Sequence, residues 1–228
     1  MIIKNDKTVS SIYKGGTLIN KIYKGVDLLF SSSLLPSEYQ QVEYIENAGK
    51  QYIDTGFIPT GNTGVELIYQ AINATSSQYI LGCRAGDYGT IYYAVNGSSS
   101  RNDWDIRLGG GAIYSSVERT TNKYKSEISL SGGSGTWTLT NLDTLASNTF
   151  KIGTTAINAT ANLCLFAYSS MYIHSNLRIY ECKIYEAGEL IRHFIPCYRK
   201  SDNVIGMYDV VAGIFYTNKG SGTFLKGK

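Results

Sequence analysis

Between residues 102 and 108 the chain reads NDWDIRL, and its side chains alternate in character. Trp104, Ile106 and Leu108 share one side of an extended segment, and Asp105 and Arg107 share the other. The same period of two recurs in GTWTLTN, where Trp137 and Leu139 alternate with threonines. Further candidate strands are VELIYQAI from Val65, TIYYAV from Thr90, SEISL from Ser126, ANLCLFAY from Ala161 and LRIYECKIY from Leu177. Turn signals separate them at intervals of roughly ten to fifteen residues, and no comparably long stretch keeps the apolar period of a helix. A chain patterned in this way predicts an all-β sandwich. Helix is expected only as a turn or so near LPSEYQQ, where Pro36 and Ser37 could open a short segment.

Composition supports strands joined by turns, with 24 glycines and 19 tyrosines against 3 prolines. Two hairpins are legible. In CKIYEAGELIRHFIP a strand ends near Tyr185, Glu186 to Glu189 make the turn with Gly188 free to take positive φ, and Leu190 to Ile195 return. VIGMYDVVAGIFYTN folds back in the same way around Asp209 to Gly213. With 43% hydrophobic and 17% charged residues, the chain is too apolar for a disordered protein. It also lacks the long apolar run of a membrane helix, so no membrane partner is expected. Its 21 basic and 18 acidic residues are scattered, which argues against nucleic acid as a partner.

The start, MIIKNDKTVSS, places charge and hydroxyls where a secretory signal needs an apolar stretch, so export by that route is not expected. Cys83, Cys164, Cys182 and Cys197, set among apolar residues, then read as buried free thiols. The Asn-x-Ser/Thr sequons at Asn73, Asn96 and Asn158 read as ordinary polar turns.

The first 30 residues carry an echo: Ile-Tyr-Lys-Gly at Ile12 to Gly15 and again at Ile22 to Gly25. Val9 to Tyr13, Thr17 to Tyr23 and Asp27 to Phe30 read as three short strands of a small meander, turned at the two Lys-Gly steps. A segment this short buries too little apolar surface to stand alone. It either packs on the sandwich of its own chain or fastens to another protein or another copy, with Ile12, Tyr13, Ile22, Tyr23, Leu28 and Phe30 as the attachment residues. FSSSLLP behind it is a short polar linker. The expected organisation is therefore a module over 1–30, a linker over 31–36 and a sandwich over 37–228.

LPSEYQQVEYIENAGKQYIDTGF (Leu35 to Phe57) resembles the opening signature of concanavalin A-like, laminin-G-like sandwich domains found in phage and prophage proteins and in proteins of gut bacteria. LRIYECKIYEAGELIRHFIPCYRKSDNVIGMYDVVAGIFYTNKGSGTFLKG (Leu177 to Gly227) resembles the closing one. YILGCRAG and ANLCLFAYSS look like internal strands of the family, whereas residues 87–160 show little likeness. The IYKG repeat is similar to short β-modules that precede such domains in tailed-phage structural proteins. The resemblance implies a concanavalin A-like jelly roll on a virion protein: a head fibre, a capsid decoration, or a tail or baseplate appendage. It also implies that the protein is a homo-oligomer, commonly a trimer. His193 stands where the family's closing strand usually carries an acidic residue.

Catalytic signatures are weak. Related glycoside hydrolases carry a compact E-x-D-x-E run, which is missing here; Asp103 and Asp105 lie two apart with no glutamate joining them and read as a solvated polar face. No G-x-S-x-G turn presents a serine, and His174 and His193 read as partly buried strand residues. The clusters at Gly109 to Gly111 and Ser131 to Thr136 read as hairpin tips, because neither is followed by the Lys-Ser/Thr of a phosphate loop. No catalytic residue, metal site or cofactor is expected. Sugar binding needs aromatic faces with a few carboxylates and guanidinium groups. If Ile91, Tyr93 and Val95 face the core, Tyr88 and Tyr92 face out, and so do Asp105 and Arg107; these four are the glycan-binding candidates.

The sequence is thus read as a non-enzymatic virion structural protein, attached to other virion proteins by its N-terminal module and displaying a lectin-like sandwich toward host-surface or mucus glycans. The alternatives are a purely architectural decoration or cementing protein, and a bacterial glycan-active enzyme or its accessory carbohydrate-binding module.

Overall fold

The computed structural model describes residues 34–228 apart from 75, 85–89 and 169–175, and within 1–33 the backbone of short strands. It divides into two units, Met1–Glu38 and Tyr39–Lys228.

In the first unit β1 (Ile3–Lys4) pairs with β2 (Lys7–Thr8), β3 (Ile12–Lys14) with β4 (Thr17–Ile19), and β5 (Lys21–Lys24) with β6 (Asp27–Ser31). The expected meander is therefore three separate two-stranded ladders, and the single strand expected over Thr17 to Tyr23 is divided. The register gives the reason. Lys14 pairs with Thr17 and Lys24 with Asp27, so each connection holds two residues and each strand pairs with its nearest neighbour. Each IYKG copy contributes its Ile, Tyr and Lys to the first strand of one ladder. Ile12, Tyr13, Ile22, Tyr23, Leu28 and Phe30 take paired positions, Ile22 opposite Phe30 and Tyr23 opposite Leu28; their side chains lie outside the described residues.

In the second unit the chain opens with β7 (Tyr39–Gln41), β8 (Ile45–Asn47), β9 (Ile53–Asp54), β10 (Thr63–Ala71), β11 (Gln78–Arg84) and β12 (Ile91–Ser98). It continues with β13 (Asp103–Leu108), β14 (Gly111–Glu118), β15 (Lys123–Ser131), β16 (Ser134–Asn141), β17 (Ser147–Ile152) and β18 (Cys164–Leu165). It ends with β19 (Leu177–Glu186), β20 (Glu189–Arg199), β21 (Ile205–Asp209), β22 (Ile214–Thr217) and β23 (Leu225–Lys226). Among the described residues there is no helix, and so none long and apolar enough to cross a membrane. An 11-stranded sheet runs β17-β16-β15-β10-β19-β20-β21-β22, with β7, β8 and β23 joined to it; a 6-stranded sheet runs β14-β13-β12-β11-β18-β9. All the pairings are antiparallel, and the unit is a jelly-roll β-sandwich. The helical turn expected after Pro36 is replaced by a turn and then β7, because Tyr39 and Gln41 find ladder partners in Arg199 and Cys197. ANLCLFAY contributes only the two residues of β18.

The core follows the alternation. On β10 Val65, Leu67, Tyr69 and Ala71 are buried while Glu66, Ile68 and Gln70 are partly exposed. Trp104, Ile106 and Leu108 of the smaller sheet meet them, and Tyr69 approaches Trp104 edge-on with ring centroids 5.0 Å apart. Tyr124 of β15 closes on the same indole at 5.1 Å. Burying an aromatic of this size contributes on the order of 3–5 kcal/mol, so this trio ties the two sheets together. All four cysteines are buried, and burial pushes the thiols of Cys83, Cys164 and Cys197 up to about 12, leaving them protonated and inert at neutral pH. Both hairpins have the expected form: Ala187 and Gly188 turn with φ of 50° and 84°, and Gly213 turns with φ of 70°.

His193 lies on β20, with its Nε2 2.7 Å from Glu181 Oε1. That hydrogen bond, with Lys183 Nζ 3.2 Å from the same oxygen, holds the Glu181 carboxyl down to about 2. Since the folded value lies below the ordinary one near 4.5, the stabilisation is complete above that pH and is lost as pH falls toward 2. Thermal melts between pH 6 and pH 2 are expected to show a smaller acid-induced drop in Tm for Glu181→Gln than for the wild type. Parallel curves would contradict the assignment.

Candidate functional site

The outer face of the 6-stranded sheet carries a polar depression of about 250 Å³ lined by strands β11, β12 and β13 and by Tyr168 beyond β18. Asp105 forms its floor. The carboxylate is 1% exposed although it lies on the face of β13 opposite the core, so the solvated face expected there is in fact covered. The cover is Tyr168, itself buried, whose ring lies over Gly82 and Ala94: a Cβ on Gly82 would stand 2.6 Å from Tyr168 Cδ1 and 3.0 Å from Ala94 Cβ. Glycine at 82 is what lets the ring approach the sheet.

A relay of hydrogen bonds fixes the floor. The Tyr168 hydroxyl donates to Asn96 Oδ1, and Asn96 Nδ2 donates to Asp105 Oδ1 at 2.8 Å. Arg107 Nε reaches the same oxygen at 3.4 Å. Asp105 Oδ2 is buried and has no hydrogen-bond partner among the described residues. Desolvation raises the Asp105 pKa above the ordinary carboxylate value, opposed by the Asn96 bond and the Arg107 charge. Around this acceptor stand Arg84, Arg107, Ser77, Ser98 and Ser100, with Tyr79 tilted against Tyr168 at a centroid separation of 4.1 Å. The result is a recessed carboxylate oxygen ringed by guanidinium and hydroxyl groups beside an aromatic wall.

Of the four sequence candidates, Asp105 and Arg107 line the depression. Tyr92 does not: it packs against the core, and Ile91 lines the depression in its place. The cause is a register shift between β11 and β12, where Cys83 pairs with Tyr93 but Arg84 pairs with Ile91, so Tyr92 is the extra residue of a bulge and the phase reverses beyond it. Tyr88 lies outside the described residues. Tyr79, Tyr168, Arg84 and Asn96 were not among the candidates. Asn96, expected in a polar turn, sits inside β12 at 2% exposure, paired in register with Asp105. The signal that could have found it is the pairing of the two strands around their hairpin, which places Asn96 opposite Asp105. Among the described residues no group of three His, Cys, Asp or Glu side chains is arranged to hold a metal ion.

No protein-family description matches the chain, and no curated protein matches its sequence. Solved structures of similar shape include a heptameric SAP-like pentraxin from Limulus polyphemus, 10% identical over 83% of this chain and 94% of that one, at a TM-score of 0.48. The CBM40 of Ruminococcus gnavus IT-sialidase, solved bound to α2,3-sialyllactose, is 12% identical over 68% of this chain and 92% of that one, at 0.41. Scytalido-glutamic peptidase is 12% identical over 80% and 98%, also at 0.41. At these scores the functional reading rests on this chain's own residues.

Burial of an ionised carboxylate with one oxygen unmet opposes folding. Because the folded pKa lies above the ordinary value, the penalty is absent below the ordinary value and grows as pH rises above it. Asp105→Asn is therefore expected to gain about 1 kcal/mol of stability at pH 7, with the gain shrinking in acid. Thermal melts across pH check this, and a lower Tm for the variant at pH 7 would show that the fold needs the carboxylate.

Proposed function

We propose that the sandwich is a non-enzymatic glycan-binding domain using the Asp105 depression, displayed on a bacteriophage virion and fastened there by the N-terminal hairpins. The observation that carries the binding role is Asp105 itself: an acceptor oxygen kept buried and unmet, at the bottom of an open depression. A saccharide supplies what this oxygen lacks, since a ring hydroxyl donates to it while other hydroxyls accept from Arg84 and Arg107 and an apolar ring face lies on Tyr79. Binding fits better than hydrolysis. Among the described residues lining this depression Asp105 is the one carboxylate, and Asp103, two residues before it, lies on the same side of the strand, whereas glycoside hydrolysis needs an acid and a base or nucleophile on opposite sides of the bond.

The virion role draws its support from the sequence resemblance at both ends of the sandwich and from the repeated hairpins, each too small to be stable by itself. Assembly of several copies, as a homotrimer or on a particle, offsets a weak single-site affinity through avidity. An architectural protein of the same fold is the alternative, and it would bind no glycan reproducibly.

A glycan array probed with the full chain tests the reading. Reproducible binding to a restricted set of glycans, weakened about tenfold or more by Asp105→Asn, is the expected result. No reproducible binding, or equal binding by the variant, would overturn the glycan assignment.

A further inference from the structure

We propose that the binding site continues along β13 into a second depression floored by Asp103, so that the ligand is an oligosaccharide spanning both and not a single sugar. This rests on reading the Asp105 depression as a glycan site. The second depression, of about 290 Å³, is lined by Arg101, Asn102, Asp103, Ser116 and Glu118. It repeats the feature that defines the first. Asp103 is 3% exposed, and its Oδ1 is buried with no hydrogen-bond partner among the described residues.

The two floors belong to one surface. Asp103 and Asp105 lie two residues apart on β13, hence on the same side and about 7 Å apart along the strand, a spacing on the scale of one pyranose ring. Ser98 joins the depressions: it pairs in register with Asp103 and lines the wall of the Asp105 depression. Between β13 and β14 the register is broken, with Tyr114 opposite Asp105 but Glu118 opposite Asp103. Ser116 takes a φ of 54° within this irregularity, a left-handed conformation uncommon for serine, and β14 bows there beside the second floor. On the rim, the Arg101 guanidinium lies 4.1 Å from the centroid of the exposed Tyr114 ring, with its Nε 3.4 Å from Asp103 Oδ2.

A divalent cation is the competing occupant of a depression with two carboxylates. Arg101 argues against it, because a positive charge already stands beside Asp103 where the ion would bind. The guanidinium suits a sugar hydroxyl as well as it repels a cation. Donors from a second sugar unit are thus the partners that Asp103 Oδ1 lacks.

Calorimetric titration of the full chain with the mono-, di- and trisaccharide forms of an array-selected glycan tests the proposal, comparing wild type with Asp103→Asn and Glu118→Gln. Glu118 is exposed, and its Oε1 accepts a hydrogen bond from Asn102 Nδ2 at 3.2 Å that glutamine can keep, so its variant reads the second depression with little effect on the fold. Wild-type affinity is expected to rise roughly tenfold from monosaccharide to the longer forms. Both variants should lose most of that rise while keeping the monosaccharide affinity. Affinity that does not grow with length, or growth unchanged in both variants, would overturn the extended site and leave the Asp105 site standing. A length-dependent gain that requires added calcium and vanishes in chelator would assign the second depression to a cation instead. No binding of any form would overturn both readings.

Discussion

Trp104 and Asp105 are neighbours in the chain and point to opposite faces of one strand, so burying the indole decides where the carboxylate goes. The indole sits against Tyr69 and Tyr124 of the opposing sheet, and a slip of one residue would exchange it for a charge in the core. This pins β13 in phase. Asp105 is thereby held on the outer face with no freedom to retreat, and Asn96, one strand over, is held opposite it. The site inherits its rigidity from the core behind it, which is how a sheet holds a polar group in place without a loop to position it.

The cost of the arrangement is visible in the burial of the same residues. Covering Asp105 with Tyr168 removes solvent from an ionised group, and only one of its two oxygens is compensated by neighbours. A chain selected for stability alone would place an amide or a hydroxyl there. Unmet buried atoms also occur away from the depressions, at Asp209 Oδ2 and Arg119 among others; what sets Asp103 and Asp105 apart is that each carboxylate lines a surface depression and both lie on one strand.

Much of this was legible from the order of residues. Alternation placed Trp104, Ile106 and Leu108 inward and Asp105 and Arg107 outward, and the turn residues Gly188 and Gly213 marked their hairpins. Alternation failed at Tyr92 because a bulge inserts one residue and reverses the phase, and nothing local in TIYYAV signals the insertion. Tyr79 and Tyr168 were hidden for a different reason: they come together across the sheet from distant segments, over a glycine whose role appears only when the ring lies on it. At the N-terminus the repeat was visible, but whether its strands join into one sheet or close as separate hairpins depended on the length of each connection.

The titration of the Asp105 carboxyl, followed by carbon-detected NMR with and without a saturating array-selected saccharide, tests the central claim most directly. The free protein should show this carboxyl titrating above the ordinary aspartate range, and the midpoint should fall when a sugar hydroxyl donates to Oδ2, because a donor to the charged form favours it. A midpoint unmoved by a saccharide that demonstrably binds would mean that the buried carboxylate does not meet the ligand.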